Sequence, residues 1–282
     1  MTATPSTVGV LEGRTAVITG AARGAGRATA LAFAAQGADL VLLDVTAPVP
    51  GVPYPLGSES QLAHTADACR RHGADVLTAA VDVRDLAGLT DLRQRAHDRF
   101  GPPHVLVNNA GIVAPSGRPV HETAEEDWQL MIDVDLGGAW RAIKVFAPAM
   151  VERRSGAIVN IASTAGLVGY RNFAGYVAAK HGLVGLTKAA ALDYASYGVR
   201  VNAVCPGNIR DERAMDGRML SEVARALDVP QAGHEQLFVA DHPMNALIEP
   251  DDVAAAALWL AGDASRHVTG TTLTVDAGYS VR

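Results

Sequence analysis

Seven short runs of β-branched and aliphatic residues recur along this chain, separated by longer Ala- and Leu-rich stretches. A run that is apolar at consecutive positions leaves no face for water. It suits a strand covered on both sides, which is what a parallel sheet with crossover helices provides. The runs lie at residues 14–19, 39–44, 76–83, 104–108, 157–161, 199–204 and 271–275. Stretches of helical length and pattern occupy 25–36, 59–72, 86–100, 124–152, 175–197 and 250–262. The alternation predicts an α/β chain: a single doubly wound Rossmann-type domain over residues 1–282, with a seven-stranded parallel sheet flanked by helices.

Two segments break the rhythm. Residues 46–58 hold four of the chain's 14 prolines, which excludes helix or central strand and marks an insertion directly after the second strand. Residues 208–249, after the sixth strand, mix Met, Leu, Pro and charge and read as an irregular lid over a substrate. Met215, Met219, Leu220, Leu227, Leu237 and Phe238 in it predict an apolar pocket. Ligands of doubly wound sheets gather beyond the carboxyl ends of the strands, and both breaks fall at that edge.

The balance of charge narrows the partners. The net charge is −6 and the cations are scattered, which argues against nucleic acid. No stretch approaches the ~18 apolar residues of a membrane span, and the amino terminus has neither the charge nor the apolar core of a signal peptide. A cytoplasmic protein is expected. Cys69 and Cys205 are far apart and read as reduced thiols, and no His, Cys or carboxylate cluster has metal-ligand spacing.

The first strand runs into Thr19-Gly20-Ala21-Ala22-Arg23-Gly24-Ala25-Gly26 and then directly into a helix. Glycine is required where a backbone turns tightly and approaches a pyrophosphate, and the helix start then offers unpaired N–H groups to the phosphates. Gly20, Arg23, Gly24, Ala25 and Gly26 are therefore candidate dinucleotide contacts. Asp44 ends the second strand 18 residues after Gly26, where a carboxylate can bind ribose hydroxyls and repel a 2′-phosphate, favouring NAD over NADP. Asp82 and Val83 close the third strand at the same edge, facing an adenine or, for Asp82, capping a turn. Asn108-Asn109-Ala110-Gly111 closes the fourth and can shape the floor of the groove.

Ser163 leaves the fifth strand, and Tyr176 and Lys180 stand four residues apart on one helix face. A tyrosine with an ordinary pKa near ~10 is rarely a base at neutral pH, and a neighbouring ammonium favours its ionised form. Tyr176 would exchange a proton with an alcohol or ketone oxygen, Ser163 would hydrogen-bond that oxygen, and Lys180 would lower the tyrosine pKa and bind the nicotinamide ribose. His181 points elsewhere on the helix and reads as a packing or interface residue; Trp128, Trp140 and Trp259 read as core or subunit contacts.

Together these motifs, with Cys205-Pro206-Gly207 after the sixth strand, make the chain resemble the short-chain dehydrogenase/reductase family from about Leu11 to Tyr279. The resemblance implies NAD, a Ser/Tyr/Lys mechanism on a small apolar secondary alcohol or ketone, cofactor contacts from Pro206, Gly207 and the Ile209 backbone, and a homotetramer built on the helices at 124–152 and 175–197. Two positions depart from the family. Asp135 stands where an Asn usually completes a proton relay to the lysine, and Asp211 stands where a Thr usually contacts the carboxamide. The relay is expected to survive in altered form. The proline-rich insertion, with Met244-Asn245-Ala246-Leu247 and Val275-Asp276-Ala277-Gly278-Tyr279, resembles the mycofactocin-associated, carveol dehydrogenase-like branch. That likeness implies tightly held NAD under the insertion and an external electron acceptor. Two alternatives stay open: an NADH-dependent carbonyl reductase of a biosynthetic pathway, and a catalytically silent NAD-sensing regulator.

Overall fold

The computed structural model describes residues 9–282; most of the amino-terminal stretch read above as lacking a signal peptide lies outside them. Seven parallel strands form one sheet: β1 (Thr15–Thr19), β2 (Asp39–Asp44), β3 (Val76–Ala80), β4 (Val105–Asn108), β5 (Gly156–Ile161), β6 (Val199–Pro206) and β7 (Thr272–Val275). Their order is β3-β2-β1-β4-β5-β6-β7, so the chain reverses its direction of travel between β1 and β4. That reversal opens a crevice at the carboxyl edge, where ligands of such sheets bind.

Alternating side chains build a core on each face. Ile18, Leu40 and Leu42 pack on one side with Phe33 and Leu260, beneath α1 (Gly24–Ala34), α2 (Glu59–Arg70) and α9 (Pro250–Ala261). Val17, Val41 and Leu43 point the other way and meet Leu89, Leu92, Phe146 and Met150 of α3 (Leu86–Phe100) and α5 (Gly138–Arg153). Because both faces are covered, neither set of alternate residues could turn polar without losing burial worth ~1.5–3 kcal/mol for each large side chain. Local signals set the helix ends. The Ser58 hydroxyl accepts from the Gln61 N–H while Gln61 returns the bond to the Ser58 N–H, and Asp85 accepts from the N–H groups of Ala87 and Gly88.

Three expectations are corrected, and of the two readings of the tryptophans one is removed. The third strand stops at Ala80, so Asp82 and Val83 lie in the turn beyond it. The stretch 124–152 is not one regular helix: α4 (Glu125–Ile132) passes through a π-turn (Asp133–Gly137) before α5 begins. A π-turn adds a residue to the helical register and thereby redirects a side chain, a device common at functional sites. Residues 208–249 are not irregular throughout. They contain α7 (Met219–Ala226) and α8 (His234–Ala240) around a small core of Leu220, Ala224, Phe238 and Leu247. Trp128, Trp140 and Trp259 are not core, being 40%, 47% and 42% exposed in the single chain. No helix among the described residues is long and apolar enough to cross a membrane.

Candidate active site

A cavity of about 250 Å³ opens at the β1/β4 crevice and runs from Gly20 and Asp44 to Lys180 and Val223. Its floor begins at the Gly-rich turn. Gly20 has φ +66, and a Cβ there would stand 2.8 Å from the Ala110 Cα; a Cβ on Gly26 would stand 2.0 Å from the Gly20 carbonyl oxygen. Only glycine permits that turn and that approach of α1 to the strand. The Thr19 hydroxyl accepts from the N–H groups of Asn109 and Ala110, and the Asn109 amide donates to the carbonyls of Thr19 and Gly20. Asn109 thus braces the turn from below.

Asp44 lines this end of the cavity. Its two oxygens accept from the N–H groups of Ala22 and Val45, at 2.9 and 2.8 Å. Burial lifts its pKa above the usual carboxylate value, and those backbone donors only partly offset the rise. Asp82 is turned toward Arg84, which grips it bidentately. Burial pushes that carboxyl up, but the Arg84 donors outweigh it and hold the pKa below normal. Val83 is buried in the cavity wall. Gly24 and Ala25 present the start of α1, where the Glu212 carboxylate accepts from the Gly24 N–H at 2.9 Å and pairs with Arg27 at 2.7 Å.

The catalytic candidates converge at the other end. Ser163 follows β5 and caps a short turn, its hydroxyl accepting from the Ala165 N–H at 3.1 Å. Tyr176 and Lys180 lie on α6 (Ala174–Tyr194), and a buried chain of amides fixes that helix against the sheet. Asn108 donates to Asn160 at 2.8 Å, Asn160 donates to the Thr187 hydroxyl at 2.8 Å, and Thr187 donates to the Leu183 carbonyl of α6. The Lys180 ammonium lies 5.5 Å from the Tyr176 ring centre and donates to the Ile161 carbonyl at 3.3 Å. Asp135, delivered by the π-turn, is 1% exposed; one oxygen accepts from the Ile112 N–H at 2.7 Å and the other faces the ammonium at 3.8 Å. Burial raises the Asp135 pKa to about 6, against the opposing pull of Lys180 and the Ile112 N–H. Gly111 admits both groups: a Cβ there would lie 3.1 Å from the carboxylate and 3.3 Å from the ammonium.

The electrostatics at Tyr176 run in both directions. Lys180 does lower the Tyr176 pKa, as does Ser163, but burial acts more strongly in the opposite direction and Asp135 reinforces it, so the phenol sits above its ordinary value. A cation one helical turn away does not by itself make this tyrosine acidic.

The remaining walls come from the two segments outside the regular alternation. Pro206 ends β6 and Gly207 follows it, both in the cavity lining, and Ile209 lines it while bridging to Ile248. Asp211 faces the lid: it accepts from the Leu220 and Ser221 N–H groups at 2.8 and 2.9 Å and from the Ser221 hydroxyl at 2.6 Å, capping α7. Met219, Leu220 and Val223 line the cavity, whereas Phe238 and Leu227 pack within the lid, Leu237 is exposed, and Met215 lies outside the lining. The proline-rich insertion reaches beyond the Asp44 end. Its Tyr54 is buried beside Met131, Val134 and Phe173, with its hydroxyl accepting from the Val113 N–H at 3.1 Å. Arg23 ties insertion to lid, donating to the Pro55 carbonyl at 2.6 Å and the Asp216 carbonyl at 2.8 Å.

Tyr54, Glu212, Asn160 and His242 were not expected at the site from the sequence, although Tyr54-Pro55 belongs to the insertion that carries the branch resemblance. The buried His242 holds the lid's exit, with its Nδ1 on the Phe238 carbonyl and its Nε2 accepting from the Asn208 N–H. Only Tyr54 carried a signal, as the one aromatic among closely spaced prolines. His181 is exposed and bonds the Val177 carbonyl of its own helix. Cys69 and Cys205 are free and buried.

The residues present fit a dinucleotide: a glycine cradle that a Cβ would fill, a helix start, and a carboxylate at the end of β2. The comparisons with known proteins agree. A family model described as enoyl-(acyl carrier protein) reductase matches residues 20–280. The (-)-trans-carveol dehydrogenase of Rhodococcus erythropolis is 36% identical over 277 residues, 96% of this chain and 99% of that protein. The crystal structure of carveol dehydrogenase from Mycobacterium avium in complex with NAD superposes with a TM-score of 0.90 at 34% identity, covering 97% of this chain and 100% of that one. Levodione reductase superposes with a TM-score of 0.86 at 32% identity, covering 96% and 99%.

Proposed function

The chain belongs to the short-chain dehydrogenase/reductase family, and on that premise we propose that it is an NAD-dependent oxidoreductase interconverting a small secondary alcohol and its ketone. The observation that carries this reading is the meeting of Ser163, Tyr176 and Lys180 at one end of a cavity whose other end has the glycine cradle and Asp44. Named relatives act on carveol and levodione, and the wall formed by Ile112, Val113, Phe173, Met219 and Val223 suits an apolar cyclic substrate of that kind.

NAD, when bound, would supply the hydride acceptor and, in its oxidised form, a positively charged ring. Gly20, Gly24 and Ala25 would hold its phosphates, Gly26 serving only to let α1 approach the turn, Asp44 would hold its adenosine ribose, and Pro206, Gly207 and Ile209 the carboxamide side. Tyr176 accepts the alcohol proton in oxidation and returns one in reduction, while the Ser163 hydroxyl holds the reacting oxygen. Lys180 would order the nicotinamide ribose and favours the ionised phenol, and Met219, Leu220 and Val223 supply apolar cover against water.

The finer reading is a retained cofactor. Arg23 clasps the insertion to the lid across the cavity mouth, and the Gln61 amide adds a second tie to the Met215 carbonyl at 2.7 Å. Escape of a dinucleotide then requires both ties to open. A retained cofactor needs an external electron acceptor to turn over. The half-exposed Trp140 of α5 and the 83%-exposed Leu192 of α6 favour a homotetramer through these helices.

Cyclic secondary alcohols assayed with a dye acceptor, with and without added NAD, test the whole reading. Turnover without added NAD, and nucleotide released on denaturation, are expected. Turnover only with added NAD would replace retention by free exchange, as in an ordinary carbonyl reductase. Nucleotide binding with no turnover of any alcohol or ketone would favour the sensing regulator.

A further inference from the structure

Asp135 is enclosed, charged and only half satisfied. One oxygen is fixed by the Ile112 N–H, while the other has no hydrogen-bond partner and points at Lys180 across 3.8 Å. The same ammonium faces the Tyr176 ring and the Ile161 carbonyl. Lys180 therefore divides one positive charge between a carboxylate and a phenol. We propose that Asp135 is a positioning residue that acts on Tyr176 through Lys180, drawing the ammonium's field to itself and away from the phenol. This rests on the proposed role of Tyr176 as the proton-transfer group.

The surroundings leave few other charges to do this. The groups facing Tyr176 are Lys180 on its own helix, Asp135 from the π-turn, Ser163 after β5, Cys205 of β6, Tyr54 of the insertion and Tyr170 ahead of α6. Burial pushes the Cys205 thiol up to about 11 and both tyrosines well above their usual value, so those three are neutral at physiological pH. Ser163 carries no charge. Lys180 and Asp135 are the opposed pair, and an uncharged side chain in place of the carboxylate would release the whole ammonium field to the phenol.

The π-turn gives this a structural basis. Its extra residue turns Asp135 inward from the α4–α5 junction, and Gly111 leaves room for carboxylate and ammonium together. A carboxylate held here solely for packing would meet an apolar neighbour, not the cation beside the phenol.

The test is a tyrosinate absorbance titration of the NADH-loaded protein, read as the difference from Tyr176→Phe loaded in the same way. With the reduced cofactor the nicotinamide ring is neutral, so the protein's own charges decide the midpoint. The wild-type Tyr176 step should lie above that of an ordinary tyrosine, and Asp135→Asn should move it down by about one pH unit, a tenfold gain in phenolate at fixed pH. Asp135→Ala should shift the step in the same direction, and it carries the comparison if the amide variant does not fold. A wild-type step at or below the ordinary value, or an unmoved or rising step in the folded variant, overturns the proposal. A residue with a purely structural role would lower kcat at every pH without moving the kcat/KM midpoint. The optical reading needs no substrate: a shifted step with no turnover sinks the proposed function and leaves the charge-sharing intact, whereas turnover with an unmoved step does the reverse.

Discussion

The floor and the roof of the cavity are held together by different physics. At the floor, the buried Asn108, Asn160 and Thr187 are joined by hydrogen bonds from β4 through β5 to α6, and the buried Lys180 and Asp135 face each other as an ion pair. Above them, two Arg23 bonds to carbonyls join the insertion to residues 208–249, which are held among themselves by the Asp211 cap and by ion pairs of Arg210 and Arg213 with Glu235 whose arginine side chains are 39% and 80% exposed. Buried polar networks are costly to break, because the orphaned partner stays desolvated; exposed ion pairs are screened and contribute ~0–1 kcal/mol. A site built this way keeps its chemistry preorganised, and local opening reaches its cover before its floor.

The sharpest way to test that contrast is at the floor. Tyr176→Phe should cut kcat by ~10²–10⁴-fold, the usual worth of a positioned acid or base, while calorimetry shows NAD affinity nearly unchanged. A large loss of affinity would mean that the residue holds the cofactor instead. Next comes Asn160→Ala, which breaks the amide chain between β4, β5 and α6. It should lower global stability by ~1–3 kcal/mol in urea unfolding and lower kcat as the helix bearing Tyr176 loosens.

Roof substitutions should behave otherwise. Arg23→Ala should speed nucleotide release by about tenfold, equivalent to ~1.4 kcal/mol, in a stopped-flow exchange experiment, with a small change in melting temperature. Asp211→Ala removes the α7 cap and should cost ~0.5–2 kcal/mol locally. Hydrogen exchange across residues 219–226 should quicken and KM rise, with global unfolding almost unmoved. Arg213→Ala should change stability by less than ~1 kcal/mol. If the Arg23 or Asp211 variant destabilises the whole protein as much as Asn160→Ala does, floor and roof are one cooperative unit and the contrast is wrong.

The floor was also the more legible part. Seven doubly covered strands leave long apolar runs, and their order of alternation with helices admits few topologies, so the strands were readable to within three residues at either end. Ser163, Tyr176, Lys180 and the glycine turn were readable because chemistry and backbone geometry restrict the residue types that serve there. The roof was less so. α7 and α8 have 8 and 7 residues, too short for helical periodicity to stand out from an irregular mixture. Asp211 was visible as a departure, but its partnership with the Leu220 and Ser221 N–H groups depends on how the lid folds back. Tyr54 could be noticed, yet nothing local says that it crosses to Val113, 59 residues away.

By itself, the sequence determined the layered architecture and singled out the proposed reacting groups, because apolar periodicity and residue chemistry are local properties of the chain. Tertiary structure alone decided their electrostatics. Burial of Tyr176 outweighs the cation beside it, and a π-turn hidden within an ordinary helical pattern carries Asp135 to that same cation. Desolvation and the distance between charges belong to the packed molecule, and no spacing along the chain encodes them.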